Sequence, residues 1–289
     1  MTRTKETLED RPETSPKIDG FLGAAAAATT LSIVLTATPT TTFSTVPIAP
    51  TTPTTETALT KKSTTPTKAS TTYQVVNATA ELIKHYEGSK PGKTSDTLGI
   101  YLDVAGNPTA CYGRLLTPTQ AQAYRQQHPD GIPKTLCAQW LKQDTITAMR
   151  TVLEQSNPTV PMKSGELAAL TSLTYNIGEE NLGKGLRKNL ATGNYEAATS
   201  LLPQYNKAVI GGILQPVLGL TNRRQAEVHI ATSGLPYYNG KALPPPEELR
   251  KSLEAVAEEI NTKTAQLEGQ IQRRQALQLK RDQDRLLSR

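Results

Sequence analysis

ELIKHYEG, residues 81–88, and IYLDVAGNPTACYGR, residues 100–114, decide how this chain is read. In the first, Leu82, Ile83 and Tyr86 recur at helical spacing, Asn77 or Thr79 supplies an N-cap, and Gly88 suits the left-handed position just past a helix end. Glu87 is therefore expected in the last turn of a short helix, where the dipole and apolar neighbours favour the neutral carboxyl that a proton donor needs. In the second, Tyr101, Asp103 and Ala105 alternate with Leu102 and Val104 before Gly106-Asn107-Pro108, a turn signal, and Thr109–Tyr112 is the expected return strand. Such a hairpin brings the Asp103 carboxylate toward the Thr109 hydroxyl in a polar setting that keeps it charged. A donor and a charged partner are the pattern of glycoside hydrolysis. By spacing alone, the same pair also reads as two ordinary surface carboxylates.

Three blocks, in order, resemble the bacteriophage lysozymes: the endolysins, or muramidases, of glycoside hydrolase family 24. The first is Glu87-Gly88 with Tyr101-Leu102-Asp103, Gly106, Thr109 and Cys111-Tyr112-Gly113. The second is TYNIGEENLGKGLRKNLATGNYEAA, residues 174–198, and the third GLTNRRQAEVHI, residues 219–230. The resemblance covers about Val76 to Gly234 and implies an α+β fold, a mainly helical lysozyme-like domain with a small β-hairpin lobe. It also implies hydrolysis of the β-1,4 bond between N-acetylmuramic acid and N-acetylglucosamine in peptidoglycan. Glu87 would be the general acid, Asp103 the base or electrostatic partner, and Thr109 would position the water. Asn176, Gly178 and Tyr112 would contact substrate, although Asn176 and Gly178 also read as a turn before the next helix. Arg223, Arg224 and Glu227 read as braces of the closing helix at i, i+3 and i+4 spacing. Two departures stand out: Ser89–Gly99 is an enlarged loop between acid and base, and Arg114 stands where many members carry a histidine. The resemblance leaves two other functions open, a wall-binding or virion structural protein that kept only the fold, and a lytic transglycosylase.

Cys111 and Cys137 pair in some relatives of this kind. In an oxidising compartment they would close a loop of about 25 residues, worth about 3 kcal/mol in the chain-entropy picture; otherwise they are two buried thiols. The three histidines, at 85, 128 and 229, lack ligand spacing, so neither a metal nor a cofactor is expected. A net charge of +6 is spread along the chain without a basic face or interleaved aromatics, which argues against nucleic acid as a partner.

The flanks differ in composition. Residues 1–19 are a polar tail carrying four Lys or Arg, at 3, 5, 11 and 17, and residues 20–37 include FLGAAAAATTLSIVLTA, an uncharged apolar run at 21–37. With no basic residue in the twenty that follow, the positive-inside rule gives a signal anchor in the host inner membrane, with the catalytic domain in the periplasm. Sixteen of the thirty-five residues at 38–72 are Thr and five are Pro, so residues 38–75 are expected as a disordered tether. Residues 76–234 form the expected catalytic domain. Residues 235–289 form a helical extension in which Leu249, Leu253, Val256, Ile260, Leu267 and Ile271 recur at spacings of three, four and seven. That seam suits self-association, a partner, or an exposed single helix.

Overall fold

The computed structural model describes residues 68–103, 106–235 and 242–288. Helix α1, Lys68–Tyr86, leads into a small lobe made of β1 (Thr97–Leu98), β2 (Ile100–Leu102), β3 (Pro108–Ala110), β4 (Arg114–Leu115), helix α2 (Pro118–Gln127) and β5 (Ile132–Pro133). The long α3, Lys134–Gln155, then enters a helical body of α4 (Ser164–Ile177), α5 (Lys184–Thr192) and α6 (Tyr195–Ser200). A hairpin of β6 (Lys207–Ile210) and β7 (Ile213–Pro216) precedes α7 (Leu218–Ser233) and a final 42-residue helix α8, Pro246–Leu287.

Local chemistry accounts for the element ends that matter here. Thr117 and Gln120 form a reciprocal capping box on α2, with Pro118 in the first turn. Helix α4 is buried along nearly its whole length, and it crosses α7 so closely that a Cβ at Gly165 would stand 2.1 Å from the Ile230 carbonyl oxygen. Only glycine fits there. The β2–β3–β4 sheet is antiparallel, with Tyr101 opposite Thr109 and Ala110 opposite both Ile100 and Arg114. The return strand is thus shorter than Thr109–Tyr112: Cys111 turns left-handed at φ 55°, and the chain bends through Gly113 into a third strand.

Two apolar clusters carry the fold. One lies in the helical body and gathers Val75, Val76, Met149, Leu167, Leu170 and Leu190 with their neighbours; the other, under the small lobe, includes Ile83, Ile132, Leu136 and Trp140. Helices α1 and α3 contribute to both, so they fix the lobes relative to each other. Cys111 and Cys137 are disulfide-bonded beneath the small lobe.

Two expectations are corrected. Residues 68–75, assigned by composition to the tether, are the first two turns of α1, because Val75 and Val76 bury in the larger cluster and Thr72 hydrogen-bonds Ser252 of α8 at 2.7 Å. Helix α8 is neither an exposed single helix nor reserved for an outside partner over its first half. It packs along α1 and α3 and seats Leu249, Leu253, Val256 and Ile260 in the core of its own chain. Its apolar seam has a partner within the chain, and Arg150 clamps it by donating Nε and Nη2 to Glu254 at 2.9 and 3.0 Å. Beyond the docked part, Leu277, Leu279, Leu286 and Leu287 are exposed. The apolar run at 21–37 lies outside the described residues; among those described, no helix is long and apolar enough to cross a membrane.

Candidate active site

Glu87 follows α1 directly, its backbone N–H donating to Ile83 O at 3.0 Å, and it is only 8% exposed. Apolar surroundings were expected; the structure instead sets a guanidinium against it. Arg223 Nη1 donates to Glu87 Oε1 at 2.6 Å, with both side chains buried. The same guanidinium donates through Nε to Glu227 Oε1 at 3.2 Å and through Nη2 to Ser172. Burial alone would lower the Arg223 pKa, but Glu87 and Glu227 together outweigh it and raise it, so this cation keeps its charge. Arg224 meets fewer carboxylates. Burial dominates there, opposed by Glu227, and brings it down to about 10.

The cluster is closed by α4. Ser172 Oγ donates to Glu227 Oε1 at 2.6 Å, and Arg224 Nη2 donates to Asn176 Oδ1 and to Glu227 Oε1, each at 3.0 Å. Arg224 Nε also lies 2.9 Å from Glu227 Oε2, an ionic contact without hydrogen-bond alignment. The i, i+3 and i, i+4 pairs expected of the closing helix are present. What the sequence did not signal is that Arg223 also ties α7 to the end of α1.

Across from this cluster lies the small lobe. Glu87 Oε2 is 3.3 Å from where a Cβ at Gly113 would stand, so the missing side chain keeps this oxygen clear. Tyr175 donates its hydroxyl to the Tyr112 carbonyl at 2.7 Å, which holds the Tyr112–Gly113 bend against α4. Asp103 sits at the turn. Its Oδ1 accepts the Asn107 N–H at 2.8 Å, and its own N–H donates to Asn107 O at 2.9 Å. Thr109 is buried and donates its hydroxyl to Asn107 O at 3.2 Å. Tyr101, directly across the ladder from Thr109, connects the two carboxylates: burial raises its pKa first, then Glu87, then Asp103.

The residues expected to contact substrate divide. Tyr112 lines an open pocket of about 790 Å³ together with Lys84, Ser89, Thr97 and Lys134, on the side formed by the enlarged loop. Lys84 Nζ stands 5.9 Å from the Tyr112 ring centre. Asn176 does not face a groove: it is buried, and its side-chain oxygen is taken by Arg224. Gly178 caps α4 at φ 79° with its N–H on Thr174 O, and a Cβ there would collide with the Glu180 carboxylate. Gly178 thus ends the helix, as the turn alternative had it, whereas Asn176 lies within α4. Arg114 stacks over Trp140 at 5.0 Å and lies 3.6 Å from Asp144, so the atypical side chain is absorbed by local packing. Among the described residues, no group of three or more metal-ligating side chains occurs.

The sequence model of the Phage lysozyme family matches residues 84–227. An endolysin of Acyrthosiphon pisum secondary endosymbiont phage 1 is 31% identical over 155 residues, covering 50% of this chain and 89% of that protein. A SAR-endolysin of Pseudomonas phage phiKMV is 30% identical over 128 residues, 44% of this chain and 74% of that protein. Among solved structures, an endolysin from Escherichia coli O157:H7 phage FAHEc1 aligns with 55% of this chain and 94% of its own length, at 27% identity and a TM-score of 0.42.

Proposed function

The chain belongs to the phage lysozyme family, and from that premise we propose that it is an endolysin-type muramidase, cutting the β-1,4 bond between N-acetylmuramic acid and N-acetylglucosamine in peptidoglycan. The observation that carries the reading is the buried Glu87 carboxyl, whose Oε2 faces the side-chain-free Gly113 of the small lobe that also holds Asp103 at its Asn107 turn. Cleavage between two carboxyl groups needs an acid and a base on the two sides of the bond, the roles this reading gives Glu87 and Asp103.

In this reading Arg223 occupies Oε1 of Glu87, and Oε2, turned toward the side-chain-free Gly113, carries the proton to the glycosidic oxygen. Asp103, held by the Asn107 N–H, takes up the proton of the attacking water or supports the positive charge developing on the sugar. Thr109 keeps lone pairs for that water while its proton rests on Asn107 O. Tyr112 contributes a ring to the substrate groove. We place residues 21–37 as a signal anchor in the host inner membrane, with the catalytic body in the periplasm, a reading supported by the SAR-endolysin relative.

The test is Glu87→Gln and Asp103→Asn on purified peptidoglycan, followed by turbidity and by reducing ends released. Glu87→Gln should lower the rate by at least about 100-fold, the usual share of general acid catalysis. Clearance at the parent rate would make this a protein that kept the fold without the activity, and anhydro-muramic products would make it a transglycosylase.

A further inference from the structure

Helix α8 builds something the lysozyme match does not cover. Residues of α2 and α8, with His128 and Leu136, line a cavity of about 290 Å³ whose wall does not include Glu87. Thr135 and Ala138 of α3 face the pocket beside Tyr112, whereas Leu136 floors this one, so the two hollows lie on different faces of the same helix. Four of the ten lining residues, Glu268, Ile271, Gln272 and Gln275, lie beyond the matched residues 84–227.

The lining is chemically selective. Tyr124 presents a half-buried ring, stacked on His128 with centroids 6.3 Å apart and packed on Trp140 at 4.9 Å. Gln120, Gln127 and Gln272 bring primary amides to the rim, each able to donate and accept. Glu268 accepts the Trp140 indole N–H at 3.4 Å, and Gln275 Nε2 donates to the Gln127 carbonyl, closing one end. Among the described residues, no lysine or arginine lines the cavity. Burial pushes His128 below its ordinary value, against the pull of Glu268, which favours the neutral ring; among the described lining residues Glu268 is the one carboxyl group.

An aromatic face with amides and one acceptor carboxylate, and no cation, suits an uncharged sugar: C–H faces stack on the ring while hydroxyl and acetamido groups meet the amides. Phosphates, nucleotides and anionic lipid headgroups find nothing to neutralise them. The volume is at the small end of ligand pockets, room for one or two rings and not for a chain. We propose that the α2–α8 cavity is a second saccharide site, taking an N-acetylglucosamine unit of the glycan and holding the enzyme on the wall independently of the catalytic groove. The choice of ligand rests on the muramidase reading; the site itself does not need turnover.

Trp140, the single tryptophan of the chain, touches both Tyr124 and Glu268 and so reports occupancy directly. The full-chain Glu87→Gln protein is titrated with the disaccharide N,N′-diacetylchitobiose while Trp emission is followed. A saturable change is expected, with Gln272→Ala and Gln127→Ala each moving its midpoint up about five- to tenfold, the effect of one lost hydrogen bond. Both residues are exposed, so neither variant endangers folding. Tyr124→Ala should abolish the change. No saturable response, or a midpoint that Gln272→Ala leaves in place, overturns the proposal. If Glu87→Gln still clears peptidoglycan, the muramidase reading has failed, whatever this titration shows.

Discussion

Leu253→Ala measures whether α8 belongs to the body. Leu253 is 0% exposed and sits in the larger cluster beside Leu249, Val256 and Ile260, so its loss removes a fully buried isobutyl group and leaves a cavity between α8 and the helices beneath. Such truncations cost about 2–5 kcal/mol, the upper part applying where neighbours cannot collapse. Leu279→Ala is the internal control: on the same helix but 65% exposed, it loses little burial and keeps helix propensity, so its cost should stay within about 0.5 kcal/mol. For a body of this size, about 2–4 °C of Tm accompanies each kcal/mol, so the two variants should separate by roughly 5 °C or more in thermal denaturation followed by circular dichroism. If α8 were an exposed helix, or docked only on an outside partner, both substitutions would behave like surface changes. Equal and small shifts for the pair would refute the docked arrangement.

Arg223→Ala should cost about 3–5 kcal/mol in urea unfolding, because it strands Glu87 in the interior and takes one of two guanidinium partners from Glu227; adding Glu87→Gln should recover part of that loss, and no recovery would contradict the pairing. Asp144 is pushed up to about 6 by burial, against the nearby Arg114, so the folded chain holds a proton that the unfolded chain has already released. Its contribution to stability therefore falls as pH rises from about 4 to about 6, and Asp144→Asn should gain about 1–3 kcal/mol over the parent at pH 7.5 and almost nothing at pH 3.5, read from paired denaturation curves. Reducing Cys111–Cys137 should lower stability by about 3 kcal/mol, visible as a lower Tm in reductant that a Cys111→Ser/Cys137→Ser protein does not show.

Much of this arrangement was written locally. The apolar positions 249, 253, 256 and 260 are the ones α8 buries, since periodicity reports which face of a helix leaves water. It does not report what that face meets, so the seam alone could not distinguish the body of the chain from a partner. The start of α1 was hidden for a related reason. KASTTYQV is rich in β-branched and small polar residues that favour helix weakly, and only burial of Thr72, Val75 and Val76 makes it one. Asp103, Asn107 and Thr109 were legible as a turn because their bonds span four residues or fewer. Arg223 and Glu87 are 136 positions apart, and no local pattern signals such a contact. Asn176 misled because an Asn two residues before a capping Gly looks like a loop, whereas Arg224 draws its side chain inward.

The long-range pair changes how the acid is held. Glu87 stands past the last helical residue of α1, where the chain is free to fray, and next to a lobe built from strands of two or three residues. Neither element would fix a carboxylate by itself. The buried set does so by electrostatics: two guanidinium groups face two carboxyl groups away from water, with Ser172 and Asn176 hydrogen-bonded into the set. Withdrawing one member leaves a buried partner unpaired, at a cost several times that of a surface ion pair. Helix α7 thus locks the end of α1 against α4, and α4 in turn holds the Tyr112–Gly113 bend through Tyr175. Acid and strand lobe are registered through the same helix. A substitution at Ser172 or Tyr175, remote from the Asp103 turn, should therefore disturb the spacing between Glu87 and that turn, and with it any reaction that needs both carboxylates.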